Sequence, residues 1–336
     1  MKTEYEQITL YNGTAPGSQN LDMEEVWTKV EATECKKEKL LVEHVIIPSI
    51  YPFLTEQVGK KTEKMPAILV VPGGAFRRLV INSEGFEIAE WLQKQGFQAF
   101  VLKCRLPSEA HENRSDVALM DAQRAIRMIR SRADEWNIDE NRIGVMGFSA
   151  GGGIASMLAT CFDRQVYAPA DDMDMISARP DFCVLCYPAI CAEVEITSIL
   201  CKVMGEQMAN VPVHRIQNAE GTVSFEVGGK ILSTQMMEQY KVPSYLIDFS
   251  SKYSTDRLVT GNTPKTFIME TDLDKTTRAE HSIRYYLACR RARVSAELHI
   301  FSTGTHGFGL GKDDELSQTG QWKSLFLKWA KVQRII

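Results

Sequence analysis

The feature that most constrains this chain is Ser149, a serine framed by glycines at the centre of the pattern G-x-S-x-G at residues 147–151. A buried-strand pattern at residues 143–146 precedes it, and apolar residues at helical spacing follow it. This order is typical of a nucleophile elbow, a tight turn that holds a serine hydroxyl at the edge of a sheet. A side chain at Gly147 or Gly151 would collide with neighbouring backbone. The pattern predicts that Ser149 is a nucleophile, and the alternative is a glycine-rich turn with an idle serine.

The rest of the chain alternates between strand patterns and helix patterns. Apolar runs predict buried strands at 67–71, 97–102, 181–187, 265–270 and 294–301, and amphipathic patterns predict helices at 84–95, 115–136, 277–291 and 318–332. An alternating run at 44–50 predicts an edge strand. This order predicts the α/β class, with a mostly parallel central sheet and helices on both faces. Functional side chains are then expected at the carboxyl ends of the strands.

The clean alternation is lost between residues 192 and 262, where helical fragments are predicted at 196–208 and 231–240. Seventy residues are too many for a loop in a compact domain. We interpret 192–262 as a helical cap insertion within a single domain that spans residues 1–336. The alternative is a peripheral decoration that does not contact the pocket.

Two polar turns follow late strands and complete a candidate catalytic group. Asp272 and Asp274 follow one predicted strand, and His306, set between glycines, follows the next. A serine hydroxyl is a weak nucleophile at neutral pH, so it needs an imidazole to take its proton and a carboxylate to orient that imidazole. The sequence predicts a triad of Ser149, Asp274 and His306, in the order Ser, Asp, His. Asp274 is preferred to Asp272 because it lies further into the loop.

A glycine-rich loop at residues 72–75 ends the strand predicted at 67–71. Small residues let backbone amides approach a substrate closely, and amides bind the negative charge that develops on oxygen during acyl transfer. The sequence therefore predicts an oxyanion hole formed by the amides of Gly74, Ala75 and Ala150. The alternative is an ordinary tight turn.

Charge and hydropathy exclude several classes of function. The formal net charge of the 336 residues is −4, with acidic and basic residues interleaved, so no nucleic-acid partner is expected. No run approaches the roughly 18 apolar residues of a membrane span, and the N-terminus lacks the apolar core of a signal peptide. We expect a cytoplasmic protein without a membrane partner.

The eight cysteines are too sparse for a disulfide scaffold and fit a reducing compartment. Cys183 and Cys186 have the spacing of a zinc half-site, but no second Cys or His pair lies near, and the run around them predicts a buried strand. We therefore predict no metal and no cofactor. Three arginines on the helix predicted at 115–136, Arg124, Arg127 and Arg130, are interpreted as its solvated face and not as a phosphate site.

Several motifs together resemble a known family. They are P-A-I-L-V-V-P-G-G-A-F, A-L-M-D-A-Q-R-A-I-R-M-I-R, I-D-E-N-R-I-G-V-M-G-F-S-A-G-G and E-L-H-I-F, spread over residues 40–310. The chain resembles bacterial α/β-hydrolases of the acetyl xylan esterase-like group, which are related to hormone-sensitive-lipase-like carboxylesterases. The resemblance also places the triad acid at Asp274. Two positions differ from the family pattern: its valine-proline step after the acid is Thr277-Arg278 here, and the third glycine of its loop is Ala75.

The resemblance implies a serine esterase that removes acetyl or other small acyl groups from carbohydrates such as xylo-oligosaccharides. The expected partner is thus a small-molecule or oligosaccharide ester, and the sequence leaves open whether the chain forms a homo-oligomer. The alternatives are a peptidase or amidase of the same fold, and a hydrolase-fold binding protein without catalysis.

Overall fold

The computed structural model describes residues 5–19, 21–31, 38–55, 63–219, 223–312 and 317–336, so Cys35 and residues 1–4 of the predicted domain lie outside it. In chain order its strands are β1 (Ile8–Thr9), β2 (Val26–Val30), β3 (Lys39–Glu43), β4 (Ser49–Phe53), β5 (Met65–Val71), β6 (Leu79–Val80), β7 (Gln98–Lys103), β8 (Ile138–Phe148), β9 (Phe182–Cys186), β10 (Val213–Gln217), β11 (Val223–Val227), β12 (Lys230–Leu232), β13 (Lys265–Thr271) and β14 (Ala296–Phe301). Its α-helices are α1 (Glu87–Lys94), α2 (Val117–Ser131), α3 (Ala150–Cys161), α4 (Ala192–Met204), α5 (Thr234–Gln239), α6 (Ser244–Lys252), α7 (Glu280–Arg291) and α8 (Trp322–Val332).

The central sheet has the strand order β1-β4-β7-β5-β8-β9-β13-β14. All pairs from β7 to β14 are parallel, whereas β1 and β4 add an antiparallel edge. The middle strands β5, β7 and β9 are buried along their whole length, as expected for a parallel sheet covered on both faces. The predicted class, α/β with a mostly parallel sheet, is confirmed.

Helices cover both faces of this sheet, as the two last residues of β8 show. A Cβ on Gly147 would lie 2.7 Å from the Cβ of Ala155 in α3, whereas the ring of the next residue, Phe148, lies 6.4 Å from the ring of Trp322 in α8. Successive strand residues point to opposite faces, so α3 and α8 pack on opposite faces of the sheet. Trp322 also contacts Trp91 of α1 at 5.1 Å, which places α1 on the same face as α8.

The register brings the carboxyl ends of the parallel strands to one edge. Val71 of β5 pairs with Gly147 of β8, and Thr271 of β13 pairs with Phe301 of β14. The residues that follow these strands therefore start at the same level of the sheet. This is why a loop after residue 71, an elbow at 149, and polar turns after 271 and 301 meet in space.

Two predictions near this sheet differ from the structure. The edge strand predicted at 44–50 is replaced by two strands, β3 and β4, because His44 takes a left-handed conformation with φ 58° that interrupts the run. The arginines of α2 are not a solvated face. The guanidinium of Arg124 is buried and donates to the Leu10 carbonyl at 2.9 Å and to Asp171 at 2.6 Å. The N-terminal segment and the loop around Asp171 fold over this helix, which sequence periodicity alone does not reveal.

The region between β9 and β13 contains helices α4 and α5, which overlap the fragments predicted at 196–208 and 231–240, and a third helix, α6, which was not predicted. It also contains an antiparallel sheet of three strands in the order β10-β11-β12, which the sequence analysis did not predict. A small apolar core that includes Ile196, Phe225 and Met237 joins this sheet to the helices. The short alternating runs of β10 and β11 lie beside charged residues, which hid their strand pattern.

None of the helices in the described stretches combines the length and the apolar character that crossing a membrane requires. Cys183 and Cys186, the pair with zinc-like spacing, both lie buried in β9, in agreement with the predicted strand.

Candidate active site

The elbow is formed by a strained residue between β8 and α3. Ser149 has φ 53° and ψ −121°, a conformation that residues with a side chain seldom adopt. Its amide donates to the Cys186 carbonyl at 2.9 Å, and its carbonyl accepts from the Ala189 amide at 3.0 Å. A Cβ on Gly147 would lie 2.1 Å from the Gly151 carbonyl oxygen, and a Cβ on Gly151 would lie 2.1 Å from the Val71 carbonyl oxygen, so both positions need glycine, as predicted. The surrounding backbone thus holds the serine in its strained conformation.

The three predicted triad side chains meet although 157 residues separate the outermost two. The Ser149 hydroxyl lies 2.8 Å from Nε2 of His306, and Nδ1 of His306 lies 2.6 Å from Oδ2 of Asp274. The carboxylate on Nδ1 fixes the tautomer in which Nε2 is free to accept a proton. The arrangement can therefore deprotonate the hydroxyl and hold the positive charge that results on the imidazole.

Asp274, and not Asp272, lies against the histidine. Asp274 is buried, and its second oxygen, Oδ1, accepts the amides of Thr276 at 2.7 Å and Thr277 at 2.9 Å. These bonds hold the carboxylate with Oδ2 directed at the imidazole. Asp272 is exposed. Its amide donates to the Phe301 carbonyl, so the turn that follows β13 is anchored to the last residue of β14.

Thr277, where the family pattern has valine, adds a hydroxyl to this group. Its Oγ1 lies 2.9 Å from Nδ1 of His306 and 3.1 Å from Oδ2 of Asp274, and it donates to the Tyr187 carbonyl at 3.0 Å. The imidazole N–H is therefore shared between a carboxylate and a hydroxyl. In the sequence this position differs from the family pattern, but nothing there indicates a role for its hydroxyl.

Replacing Thr277 by valine should lower kcat with little change in KM. The substitution keeps the shape but removes one partner of the imidazole N–H, and one such hydrogen bond is worth about 1 kcal/mol, or roughly fivefold in rate. Steady-state kinetics on a p-nitrophenyl ester measure the effect, and Thr277→Ser should restore most of it. If serine and valine behave alike, the hydroxyl has no part in positioning the imidazole.

The predicted oxyanion loop follows β5. Gly74, Ala75 and Phe76 all have positive φ, at 138°, 59° and 58°, which turns the chain sharply after the strand. Ala75 and Ala150 line the same cavity as Ser149, whereas Gly74 is not part of that lining. Ala150 is the first residue of α3, where an amide has no intrahelical acceptor and the helix dipole favours an anion. Of the three predicted donors, Ala75 and Ala150 are therefore better placed to donate to an oxyanion in this cavity.

A buried pair that the sequence analysis missed joins this loop to the histidine loop. One oxygen of Glu84 accepts the Gly73 amide at 3.0 Å, and the other accepts the Tyr187 hydroxyl at 3.0 Å. The Tyr187 hydroxyl in turn accepts the Gly309 amide at 3.0 Å, and the Tyr187 ring packs edge-on against His306 at 5.1 Å. Burial raises the pKa of Glu84. In the sequence Glu84 looks like an acid in the first turn of a helix, so nothing there signals this contact.

A cavity of about 240 Å³ opens beside Ser149. It is lined from the oxyanion loop, the elbow, the acid loop and the inserted region, and its lining from that region includes Glu195, Ile199, Lys202, Lys241, Pro243, Tyr245 and Leu246. A larger groove of about 730 Å³ lies elsewhere, between Asn113 and Arg215, and contains none of the predicted site residues. We take the smaller cavity as the binding pocket because it holds the reactive hydroxyl.

Glu195 is the acidic residue in this lining. Its Oε2 is buried without a hydrogen-bond partner in the described structure and lies 3.7 Å from Nε2 of His281. Nδ1 of His281 accepts the amides of Ile190 and Cys191, and burial lowers the pKa of this histidine to about 3, so the ring is neutral. Burial raises the pKa of Glu195 from 4.5 to about 6, and the positive charge of Lys202 opposes the rise.

The raised pKa predicts how Glu195 affects stability. The folded protein binds this proton more tightly than the unfolded chain does, so stability falls as pH rises from about 4.5 to about 6. The variant Glu195→Gln has no ionisable group at this position, so it lacks this pH-dependent loss of stability. Its free energy of unfolding relative to the wild type should therefore rise by about 1.5 kcal/mol between pH 4.5 and pH 7.5. Urea unfolding at both pH values tests this, and a constant difference would show that the carboxyl titrates normally.

Comparison with known proteins agrees with this geometry. Residues 56–287 match the BD-FAE family. The acetylxylan esterase of Xylanibacter ruminicola is 31% identical over 263 residues, which cover 76% of this chain and 45% of that protein. The endo-1,4-beta-xylanase B of Butyrivibrio fibrisolvens is 26% identical over 271 residues, which cover 81% of this chain and 36% of that protein. The chain thus spans less than half the length of these two relatives.

Among solved structures, the acetyl ester-xyloside bifunctional hydrolase of Caldicellulosiruptor lactoaceticus matches with a TM-score of 0.64 at 28% identity, over 98% of this chain and 97% of that one. These likenesses confirm the predicted α/β-hydrolase fold and the resemblance to acetyl xylan esterase-like proteins. Because the family match extends over well over half of the 336 residues, the chain belongs to the BD-FAE family.

Proposed function

We propose that this protein is a serine carboxylic-ester hydrolase that removes acetyl or other short acyl groups from carbohydrates through an acyl-enzyme. The observation that carries the proposal is the continuous relay from the Ser149 hydroxyl to His306 and on to Asp274, at 2.8 Å and 2.6 Å. That relay opens onto a cavity, so a substrate can reach the hydroxyl.

In the first half of the reaction, Oγ of Ser149 attacks the acyl carbon while Nε2 of His306 takes the hydroxyl proton. The negative charge moves to the former carbonyl oxygen, where the amides of Ala75 and Ala150, with Gly74 as the third predicted donor, stabilise it. The bond from the acyl carbon to the alcohol oxygen then breaks. That oxygen takes the proton from His306, and the sugar leaves as an alcohol.

In the second half, water attacks the acyl-serine ester and gives its proton to His306, which returns it to Oγ of Ser149 as the carboxylic acid leaves. Asp274 stabilises the imidazolium that forms in each half. Neither half needs a redox partner, and we assign no metal or other cofactor to it.

Two findings support a short acyl group on a carbohydrate. The cavity beside Ser149 is small, at about 240 Å³, which suits an acetyl or similar group better than a long chain. The relatives named above include an acetylxylan esterase and an acetyl ester-xyloside hydrolase. We propose a small-molecule or oligosaccharide ester as the substrate.

A cytoplasmic location is proposed as well, since the cysteines in the described residues are all buried thiols without a disulfide.

A panel of substrates tests the proposal. It comprises p-nitrophenyl esters of rising acyl length, acetylated xylo-oligosaccharides and an aminoacyl p-nitroanilide, each with the wild type and with Ser149→Ala as the matched control. We expect cleavage of the acetyl and propionyl esters, weaker cleavage of the octanoyl ester, and release of acetate from the oligosaccharides. Cleavage of the anilide alone would favour a peptidase, and no cleavage at all would leave a binding protein.

A further inference from the structure

Three positively charged side chains line the cavity that holds Ser149: Arg77, Lys202 and Lys241. Arg77 belongs to the loop after β5, Lys202 to helix α4, and Lys241 to the segment between α5 and α6. All three residues are exposed. Among the described residues none of the three side chains forms an ion pair within 4 Å or a hydrogen bond. Three cations from separate elements therefore face one opening whose described lining supplies one carboxylate, Glu195.

This cluster of three cations differs from the charge distribution of the rest of the molecule. The whole chain carries a net charge of −4, and many of its arginines pair with carboxylates, as Arg105 does with Asp121 at 2.7 Å. Within the described lining of the cavity the acidic member is Glu195, and its pKa of about 6 lowers its negative charge below pH 6. The cavity is therefore positive at its mouth on a protein that is negative as a whole.

Like charges that share an opening repel one another unless an anion lies between them. The sugar and the ester of the proposed substrates are neutral, so they leave three positive charges opposed by the single carboxylate of Glu195. An anion on the substrate would complete the pairing, and a positive cleft would also attract such a substrate from solution. Tyr245 and Leu246 in the same lining offer apolar surface for a sugar ring, so the mouth suits a sugar that carries an acid group.

We propose that the preferred substrate is an oligosaccharide ester that carries a carboxylate, as on a uronic acid, close to the acylated sugar. This inference rests on the proposed function and narrows its substrate class. Arg77 can donate two parallel N–H hydrogen bonds to a carboxylate, while Lys202 and Lys241 act as point charges at the ends of flexible side chains. Exposed ion pairs are individually weak, and three of them together should give roughly a tenfold preference at low salt, or about 1.4 kcal/mol.

The test compares two substrates that differ only in this charge. One is an acetylated xylo-oligosaccharide with a glucuronic acid branch, and the other is the same compound with the carboxylate reduced to a primary alcohol. We expect kcat/KM for acetate release to be about tenfold higher for the acid at an ionic strength of about 20 mM, and the ratio to fall towards one at about 0.5 M salt because surface charges are then screened.

The double variant Lys202→Gln/Lys241→Gln should reduce the acid-to-alcohol ratio to about threefold or less at low salt. Lys328→Gln/Lys331→Gln, which removes the same charge from exposed positions of α8 outside the described cavities, should leave the ratio unchanged. Equal kcat/KM for both substrates, or a preference that the first variant keeps, would overturn this inference while the esterase proposal stands. If neither compound nor any p-nitrophenyl ester is cleaved, the proposed function fails and the inference fails with it.

Discussion

Replacing Ser149 by alanine is expected to lower kcat by on the order of 10⁶-fold and to leave the fold intact. The hydroxyl is the group that would form the acyl-enzyme, and in the described structure it forms a hydrogen bond with His306. Its loss therefore removes the nucleophile but little packing. Initial rates on p-nitrophenyl acetate together with a thermal melting curve measure both effects.

Ser156 provides the matched control for this variant. It lies in the same helix, but its hydroxyl is buried and bonds to the Gly153 carbonyl and to Thr255, both at 2.7 Å. Ser156→Ala should therefore lower the melting temperature and keep most of the rate. If Ser149→Ala kept its activity with an unchanged melting curve, the proposed mechanism would be wrong.

The second large effect is expected at the acid. Asp274→Asn keeps the size of the side chain but removes the charge that stabilises the imidazolium, and by analogy with the serine-protease triad it should cost on the order of 10⁴-fold in kcat. An amide in place of Oδ2 would also donate towards Nδ1 of His306 and favour the wrong tautomer. Rates at saturating substrate test this.

Asp272→Asn is the matched comparison, because the two aspartates lie two residues apart in one loop. Asp272 is exposed and has no contact with the imidazole among the described interactions, so its variant should lose less than about fivefold in kcat. If Asp272→Asn is the inactive protein and Asp274→Asn the active one, the acid has been assigned to the wrong residue, although a serine esterase would remain.

Local sequence was enough to predict the residues that meet in the candidate site. The pattern around Ser149 predicts a strand, a turn and a helix, and His306 follows a strand between glycines. Parallel strands end at a common edge, so residues far apart in sequence could be expected to meet once the strands were identified. Asp274 could be preferred to Asp272 because it lies further into the loop and because the family resemblance places the acid there.

The residues that support this site could not be predicted, because their roles depend on contacts between distant segments. Glu84 reaches the Gly73 amide and the Tyr187 hydroxyl only because the turn before α1 packs under the oxyanion loop. Arg124 has the helical position of a surface residue and is buried because the N-terminal segment covers it. Neither fact leaves a periodic signal in the sequence.

The internal structure of residues 192–262 could not be predicted either. Its strands β10 to β12 are short, partly exposed and flanked by polar residues, so they lack the apolar runs that predict buried strands. Their pairing is antiparallel and local, and a core shared with α4 and α5 stabilises them. The loss of strand-helix alternation marked residues 192–262 as different from the rest of the chain, but it gave neither their internal structure nor the charges that they bring to the cavity.

Covalent labelling tests the central claim most directly. The wild-type protein would be incubated with a fluorophosphonate, which reacts with activated serines, and the modified residue would be identified by tandem mass spectrometry. The account predicts one adduct per chain, on Ser149, formed with loss of esterase activity, and no adduct in Ser149→Ala. An unlabelled wild type, or a label on another residue that accompanies the loss of activity, would contradict it.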